Sequence, residues 1–543
     1  MKKQIYKFNI IAAAAASLLI AACGKEPLPE PDPVTVGEVE LSSTQVVFPV
    51  DGGSKTVLVN ANSEWHYDCD YTWISVEADV ENNTLTFTAE KNTTGENRYG
   101  VVSVICGDEN YTDTRDVKVM QTYKPEDLVK DGVTANCYVA ALNSTYRFPA
   151  KVKGNGAGDG NSKYIANYGV EIKDAAYAEL IWEATLDGDR TRSTYIIDGE
   201  PMLDGDNVYF STGKEPGNAV IAVCNAAGDV VWSWHIWVTG ETIGEKTDGN
   251  GLVWMDRNLG ALSAVPSEVQ NTRGLFYQWG RKDPFLPSVA DYYDIPAILL
   301  DDYNNPDSYN AKVDKINELR PLANVANQQN GDGKRARGIE KAQVLYYAPG
   351  NAQYAVEHPE KFISIHSVYP GGIKCDWYIM NFDNDVDDQY ASNLWGNTSA
   401  DVKYKSIFDP CPAGYVVPKA NAYATIAEDA TYECLSVADA GEEADWVEDE
   451  NGYGWYWKSC GNAYYPKSGA LSLFGSVAYA SEYVLYWTAE PVSKDKDVWG
   501  RSNCLFTDAG RVFFGIAYSG SSYSDPSNFG ARGFGANVRC VKE

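Results

Sequence analysis

A chain of 543 residues has room for three to four domains at about 150 residues each, and 44% hydrophobic against 22% charged residues is the balance of a folded protein. With 45 Lys+Arg against 75 Asp+Glu, the net charge of −30 repels phosphate backbones and anionic headgroups and sets nucleic acid aside as a partner. Aromatics at 13%, with 37 Tyr and 47 Gly but only 5 Met, point to a β-rich, turn-rich extracytoplasmic protein.

Lys2, Lys3 and Lys7 precede an unbroken apolar and small run from Ile10 to Ala22. A helix of that length rises about 20 Å, short of the roughly 30 Å hydrocarbon core, so residues 1–22 read as a secretory signal rather than a permanent span. The run ends in Leu19-Ile20-Ala21-Ala22-Cys23, which resembles a bacterial lipobox. The resemblance implies a diacylglycerol on the Cys23 thiol and an outer-membrane anchor after cleavage. Loss of the leader's lysines takes the net charge from −30 to −33. Residues 23–37 form a tether in which Glu26-Pro27-Leu28-Pro29-Glu30-Pro31-Asp32-Pro33 alternates proline with mostly acidic residues and stays extended.

From 38 to 122, short β-type runs (Gln45–Val50, Lys55–Asn60, Trp73–Glu77, Thr84–Glu90, Gly100–Cys106, Arg115–Gln121) are punctuated by Gly, Asn and Asp turns, the pattern of a β-sandwich. Phe48-Pro49 before Gly52-Gly53, then Trp73-Ile74-Ser75-Val76, then Asn92, Gly95, Arg98 and Gly100, and the closing Val117–Gln121 run resemble the BACON domain, an immunoglobulin-like module. That resemblance implies carbohydrate or mucin binding, or equally a spacer beside a lipid anchor.

A second strand-rich stretch, 131–240, contains Ala178–Glu183, Asn207–Thr212, Asn218–Cys224 and Val230–Val238, the last two joined by the tight turn Ala226-Ala227-Gly228-Asp229. A second β-sandwich follows. Trp232 and Trp234 fall on one face of the last strand and His235 on the other. His235 reads as a half-buried strand residue rather than a ligand, since the histidines at 66, 235, 358 and 366 form no HxH or HExxH spacing.

The stretch 246–543 carries five blocks: Gly251–Gly260 around Trp254, Gly274–Pro284 around Trp279, Asp409–Pro418 with Cys411, Tyr486–Glu490 with Trp487, and Gly535–Val541 with Cys540. In this order they resemble the Fibrobacter succinogenes major paralogous domain, an aromatic-rich fold akin to C-type lectins and formylglycine-generating enzymes. Long insertions at Asp291–His366 and Asp376–Tyr404 depart from the short family form. The fold expected for the whole chain is mainly β with an α+β C-terminal part: two immunoglobulin-like β-sandwiches followed by an irregular C-type-lectin-like domain. Within that resemblance Cys411 and Cys540, each inside a defining block, are expected to lie together and tie the Asp409–Pro418 turn to the last strand. Spacing alone leaves the connectivity of the ten cysteines other than Cys23 open.

No GxSxG elbow, P-loop, HExxH or Rossmann fingerprint is present, and Cys504 lacks the neighbouring cysteine that thiol-oxidase chemistry needs, so a non-enzymatic protein is expected. Asp383-Asn384-Asp385-Val386-Asp387-Asp388 places oxygens as in a calcium loop, but Asp388 and Leu394 stand where an EF-hand needs Gly and Glu. An irregular calcium site and a solvated acidic loop stay open, and no cofactor is required. Aromatic faces bury sugar C–H surfaces, which makes Trp377, Tyr378, Trp455 and Trp457, with Asp383 and Asp385, candidate ligand contacts; core packing is the other role for these rings.

The last two stretches behind a lipobox also resemble tip subunits of Bacteroides-type fimbriae. The implied role is a cell-surface adhesin that meets a fimbrial stalk subunit on one side and a host or bacterial surface glycan on the other. A glycan-capture lipoprotein of a polysaccharide utilisation system is the alternative, and a surface hydrolase a third. Binding is expected in the insertions of the last domain, where loops vary on a rigid frame.

Overall fold

Alternating apolar and polar residues at the N-terminal end fold into eight strands: β1 (Val39–Leu41), β2 (Gln45–Phe48), β3 (Gly53–Ala61), β4 (Trp65–Asp68), β5 (Ile74–Asp79), β6 (Thr84–Ala89), β7 (Arg98–Cys106) and β8 (Asp113–Gln121). The computed structural model describes residues 36–107, 112–156, 169–186, 196–286, 329–330, 333–334, 340–344, 351–364, 368–369, 372–373, 377, 394–397, 404–423, 435–439, 445–471, 477–478, 482–491, 502–508, 511–515 and 532–543. Sheets ordered β1-β3-β6-β5 and β2-β8-β7-β4 face each other across Phe48, Val57, Leu85, Phe87, Val104 and Val119. The chain changes sheet between β1 and β2, and β2 then runs parallel to β8 from Gln45↔Lys118 to Phe48↔Gln121. Gly52 makes its turn at φ 77°, and a Cβ there would lie 2.1 Å from the Ala89 carbonyl oxygen, so this position demands glycine.

The next module repeats the device. Strands β9 (Glu126–Asp127), β10 (Cys137–Ala140), β11 (Thr145–Pro149), β12 (Tyr177–Ala184), β13 (Ile197–Asp204), β14 (Asn207–Thr212), β15 (Gly217–Cys224) and β16 (Val230–Val238) form sheets β10-β16-β15-β12 and β13-β14-β11-β9. β10 runs parallel to β16. Phe148, edge-on to Phe210 in its own sheet, meets Trp234 on the other, the Phe148 and Trp234 ring centroids 4.9 Å apart.

The first module is seated on the edges of the second. Gln45, 4% exposed, accepts N–H bonds on Oε1 from Ala178 (2.9 Å) and Leu203 (2.7 Å) and donates from Nε2 to the Ala178 carbonyl at 2.9 Å. One buried amide thus satisfies backbone groups of both edge strands, β12 and β13, which would otherwise be open for pairing. Val47, Met120 and Met202 pack beside it, and Lys55–Asp204 (2.5 Å) and Lys118–Glu200 close the rim.

The sheet β10-β16-β15-β12 is covered on both faces, as the nearly continuous apolar runs of β15 and β16 require. Its outer face meets the C-terminal stretch: the Ser233 hydroxyl donates to Asp283 (2.6 Å), Trp237 Nε1 to the Ala261 carbonyl (3.1 Å), and Asn136 Nδ2 to the carbonyls of Ile407 (2.6 Å) and Asp409 (2.9 Å). One hydrophobic core therefore runs from Cys137 to Cys540. This corrects the half-buried reading of His235, which is 1% exposed and lies between Asn218 Oδ1 (2.9 Å) and the Tyr277 hydroxyl (3.3 Å).

In the C-terminal stretch an early strand and a middle one both pair with the last: Trp254 sits opposite Val541, and Tyr415 and Val416 opposite Lys542 and Val541. Its largest sheet has eight strands, among them 276–278, 485–491, 502–508, 511–515 and 535–537, and a three-stranded sheet spans 446–448, 454–457 and 463–466. The two α-helices among the described residues, Val269–Thr272 and Asn351–Glu357, are short, so the fold is mainly β. The Trp blocks stitch one another: Trp279 Nε1 donates to the Thr488 carbonyl at 2.9 Å and Trp487 Nε1 to the Tyr277 carbonyl at 2.8 Å.

Candidate functional site

The residues singled out in the sequence part company in space. Cys411 and Cys540 are joined by a disulfide with their Cα atoms 6.0 Å apart. Around it, Asp409 accepts the backbone N–H groups of Cys411 (2.8 Å) and Val417 (3.0 Å), and the Lys405 ammonium donates to the carbonyls of Cys411, Pro412 and Tyr415 at 2.7–2.8 Å. Burial pushes the Asp409 carboxyl up to about 6 against the opposing pull of Lys405.

Trp377, Trp455 and Trp457 are corrected as stacking platforms. They are 2%, 1% and 0% exposed, which leaves no ring face for a sugar. Trp377 Nε1 donates to the Trp279 carbonyl at 2.7 Å, and Trp457 donates to Asp445 (2.8 Å) while stacking on Trp446 at 5.2 Å. The physical reason is strand alternation: within 454–457 both indoles point to the core side and Tyr456 turns outward. The ring left open in that block is Tyr453, 38% exposed. Cys23, Tyr378, Asp383 and Asp385 lie outside the described residues. Among the described residues no cluster of three or more His, Cys, Asp or Glu is placed to hold a metal ion, and no helix is long and apolar enough to cross a membrane.

Reading the sequence did not single out Lys282, Asp283 and Ser233. Lys282 Nζ lies 2.6 Å from Asp283 Oδ1 and donates to the Ser233 hydroxyl, and burial lowers its ammonium to about 8. A serine beside a lysine of lowered pKa is a nucleophile and its base where substrate can reach it. Here it cannot: the side chains of Lys282 and Asp283 are 2% and 3% exposed, Ser233 is fully buried, and the cavity beside them, about 10 Å³, has room for no more than about one water. Lys282 Nζ also stands 4.6 Å from the Trp232 ring centre, so the group pins the C-terminal stretch onto β16.

An accessible concavity among the described residues lies elsewhere, where the first module meets the second. Its volume is about 700 Å³, within the range of ligand-binding clefts. One wall is the loop between β6 and β7. Asn92, 2% exposed, accepts from the Thr94 N–H (3.0 Å) and hydroxyl (2.7 Å) and donates to the Glu96 carbonyl (2.7 Å), which stiffens the loop that presents Gly95 and Glu96. Asn97 then crosses the junction: its Nδ2 donates to the hydroxyls of Thr145 and Ser211, both at 2.6 Å, and its Oδ1 accepts the Tyr123 N–H at 2.6 Å. The opposite wall comes from the β10–β11 turn at Asn143 and Ser144 and from the β14–β15 connection at Thr212–Glu215. Tyr123 is the one ring among the lining residues, with the Lys124 ammonium 5.3 Å from its centre. The sequence signal for this wall was present in Asn92 and Gly95, but nothing in it placed them against Ser211.

Comparison with known proteins assigns the first module. Residues 63–122 match the BACON family, described as "Putative binding domain, N-terminal", so the N-terminal module is BACON-like. No curated protein matches the chain. Among solved structures, a Bacteroides ovatus GH5 xyloglucanase in complex with a XXXG heptasaccharide is similar at 18% identity over 22% of this chain, with a TM-score of 0.14, and this chain spans 29% of its length. A chimeric titin Z1Z2 is similar at 11% identity over 38% of this chain and 100% of its own (TM-score 0.14). The Pseudomonas aeruginosa CupB2 chaperone is similar at 13% identity over 37% of this chain and 100% of its own (TM-score 0.17).

Proposed function

We propose that this chain is a non-enzymatic cell-surface adhesin, anchored through Cys23 and acting as a component of a fimbrium tip, with its last stretch a C-type-lectin-like domain. The observation that carries the binding role is the match of residues 63–122 to a family described as a binding domain, in a module whose loop end opens a cleft of about 700 Å³. The arrangement also suits presentation: Gln45 and the Lys55–Asp204 pair fasten the module to the next one, and a shared core fastens that one to the C-terminal stretch. The lipobox-like end at Cys23 and the order of the last two stretches support placement on a fimbrium. The polar cleft beside a BACON-like module favours, as a second reading, a glycan-capture lipoprotein.

Immunogold labelling of the native protein separates the two. Label confined to filament ends is the expected result. Label spread evenly over the envelope, with transporter and glycosidase genes alongside rather than fimbrial subunit genes, overturns the tip in favour of glycan capture.

A further inference from the structure

We infer that the first two modules form a load-bearing link that holds tension between the N-terminal tether and the C-terminal stretch, a function that rests on the reading of the chain as an anchored adhesin. In each module a strand near the chain's entry runs parallel to the strand by which the chain leaves. The chain enters the first module through β1 and β2 and leaves after β8, and β2 pairs with β8 from Gln45↔Lys118 to Phe48↔Gln121. Pulling the tether back and the C-terminal stretch forward therefore slides β2 along β8, and every rung bears load at once. Antiparallel strands would put both attachment points at one end and open rung by rung. The second module repeats the arrangement, with β10 parallel to the exit strand β16 from Cys137↔His235 to Ala140↔Val238.

Both ladders are held at their ends and shielded from water. At the first, the Thr44 carbonyl accepts the Lys118 N–H and the Phe48 carbonyl the Thr122 N–H, both at 2.9 Å. The fully buried Gln121 straps the downstream end, its Nε2 donating to the carbonyls of Pro49 (3.1 Å) and Glu90 (2.8 Å). At the second, the Asn136 carbonyl accepts the His235 N–H (2.8 Å) and the Ala140 carbonyl the Thr239 N–H (3.0 Å). All four residues of β2 are buried, as are Cys137, Ile236 and Trp237, which keeps solvent from replacing a rung as it stretches. The ladders are also coupled. Gln45, at the upstream end of β2, accepts the N–H groups of Ala178 and Leu203, so part of the load on β2 passes to β12 and β13 without crossing β8. Asn136, just ahead of β10, is bonded to the carbonyls of Ile407 and Asp409 and hands load on to the C-terminal stretch.

The test is single-molecule force spectroscopy on the full chain in two geometries. Handles at the exposed Val36 and Val265 load both ladders along their strands. Handles at Asp51 and Lys124, exposed residues that follow β2 and β8 at the same end of the sheet, peel the two strands apart. The opening of the first module is recognised by the length that residues 38–122 release. At one loading rate we expect it to need roughly twofold or more force along the strands than in peeling, because forced opening follows the unfolding barrier and one geometry breaks all rungs together. Gln45→Ala, checked for folding by circular dichroism, should lower the along-strand force and leave the peeling force as in the parent, since Gln45 sits at the far end from the peeling handles. Equal force in the two geometries overturns the clamp. Parent-like along-strand force in Gln45→Ala overturns the coupling through the junction. The force measurement needs neither lipid nor ligand, so either failure leaves the adhesin reading standing; absence of immunogold label from the cell surface removes that reading, and with it the load, whatever the force.

Discussion

His235 titrates against its surroundings: full burial lowers its imidazole from the ordinary 6.5 to about 3. Between those values the unfolded chain binds a proton that the folded one refuses, so folding free energy contributed by the neutral ring is present above about pH 6.5 and drains away toward pH 3. Asp409, raised by burial from 3.8 to about 6, pulls the opposite way between those two values. His235→Gln should therefore flatten the fall of unfolding temperature with acidification, measured by calorimetry between pH 7 and 4; an unchanged slope would show that the ring is solvated in solution. Trp377 belongs to the same scale. Read from sequence as a ligand contact, it is a buried ring donating to Trp279, so Trp377→Ala should cost about 3–5 kcal/mol in a denaturant titration rather than leave stability intact.

Gln45, set between two edge strands, shares the stiffness between modules with Asn97, the Met120–Met202 contact and the rim ion pairs. Gln45→Ala would leave the Ala178 N–H and C=O and the Leu203 N–H buried without partners, a loss of roughly 1–3 kcal/mol for the first unsatisfied group alone. We expect faster proteolysis near Tyr123-Lys124 and a broader interdomain distance distribution by small-angle scattering. A scattering curve identical to the parent's would show that the Met120–Met202 contact and the rim ion pairs suffice. The Cys411–Cys540 bridge clamps the 409–418 turn to the terminal strand across a sequence separation of 129. Loop-closure entropy assigns it about 4–5 kcal/mol, so reduction should lower the unfolding temperature of the C-terminal sheets, and non-reducing peptide mapping should recover the linked pair. Two free thiols in that map would remove the clamp.

At the scale of the molecule, the proposed lipid attachment at Cys23 is the testable element. Cys23→Ala should abolish labelling by a fatty-acid analogue while leaving circular dichroism and the unfolding transition as in the parent, because the expected role of Cys23 is covalent attachment, not packing. Labelling that persists in the variant would refute the anchor. The shared core from Cys137 to Cys540 implies that the second module and the C-terminal stretch unfold together, whereas the BACON-like module keeps its own core around Phe48 and Phe87.

What the sequence determined by itself is local. Period-two alternation and Gly/Asn punctuation write the strands of the BACON-like module, since each strand's inward face must be apolar whatever it packs against, and Gly52 is legible because its backbone conformation admits no side chain. Burial on the second face of a sheet is a property of what lands on it. His235 and the Ser233–Lys282–Asp283 group therefore took their character from the C-terminal stretch folding over β16, and Trp455 and Trp457 from the side of their strand that turned inward. The cleft needed most from tertiary structure. Asn97 and Ser211 stand 114 positions apart in the chain, and only the docking that Gln45 secures brings hydroxyls from one module opposite a loop from the other, because a junction between two domains has no periodicity of its own to leave in the sequence.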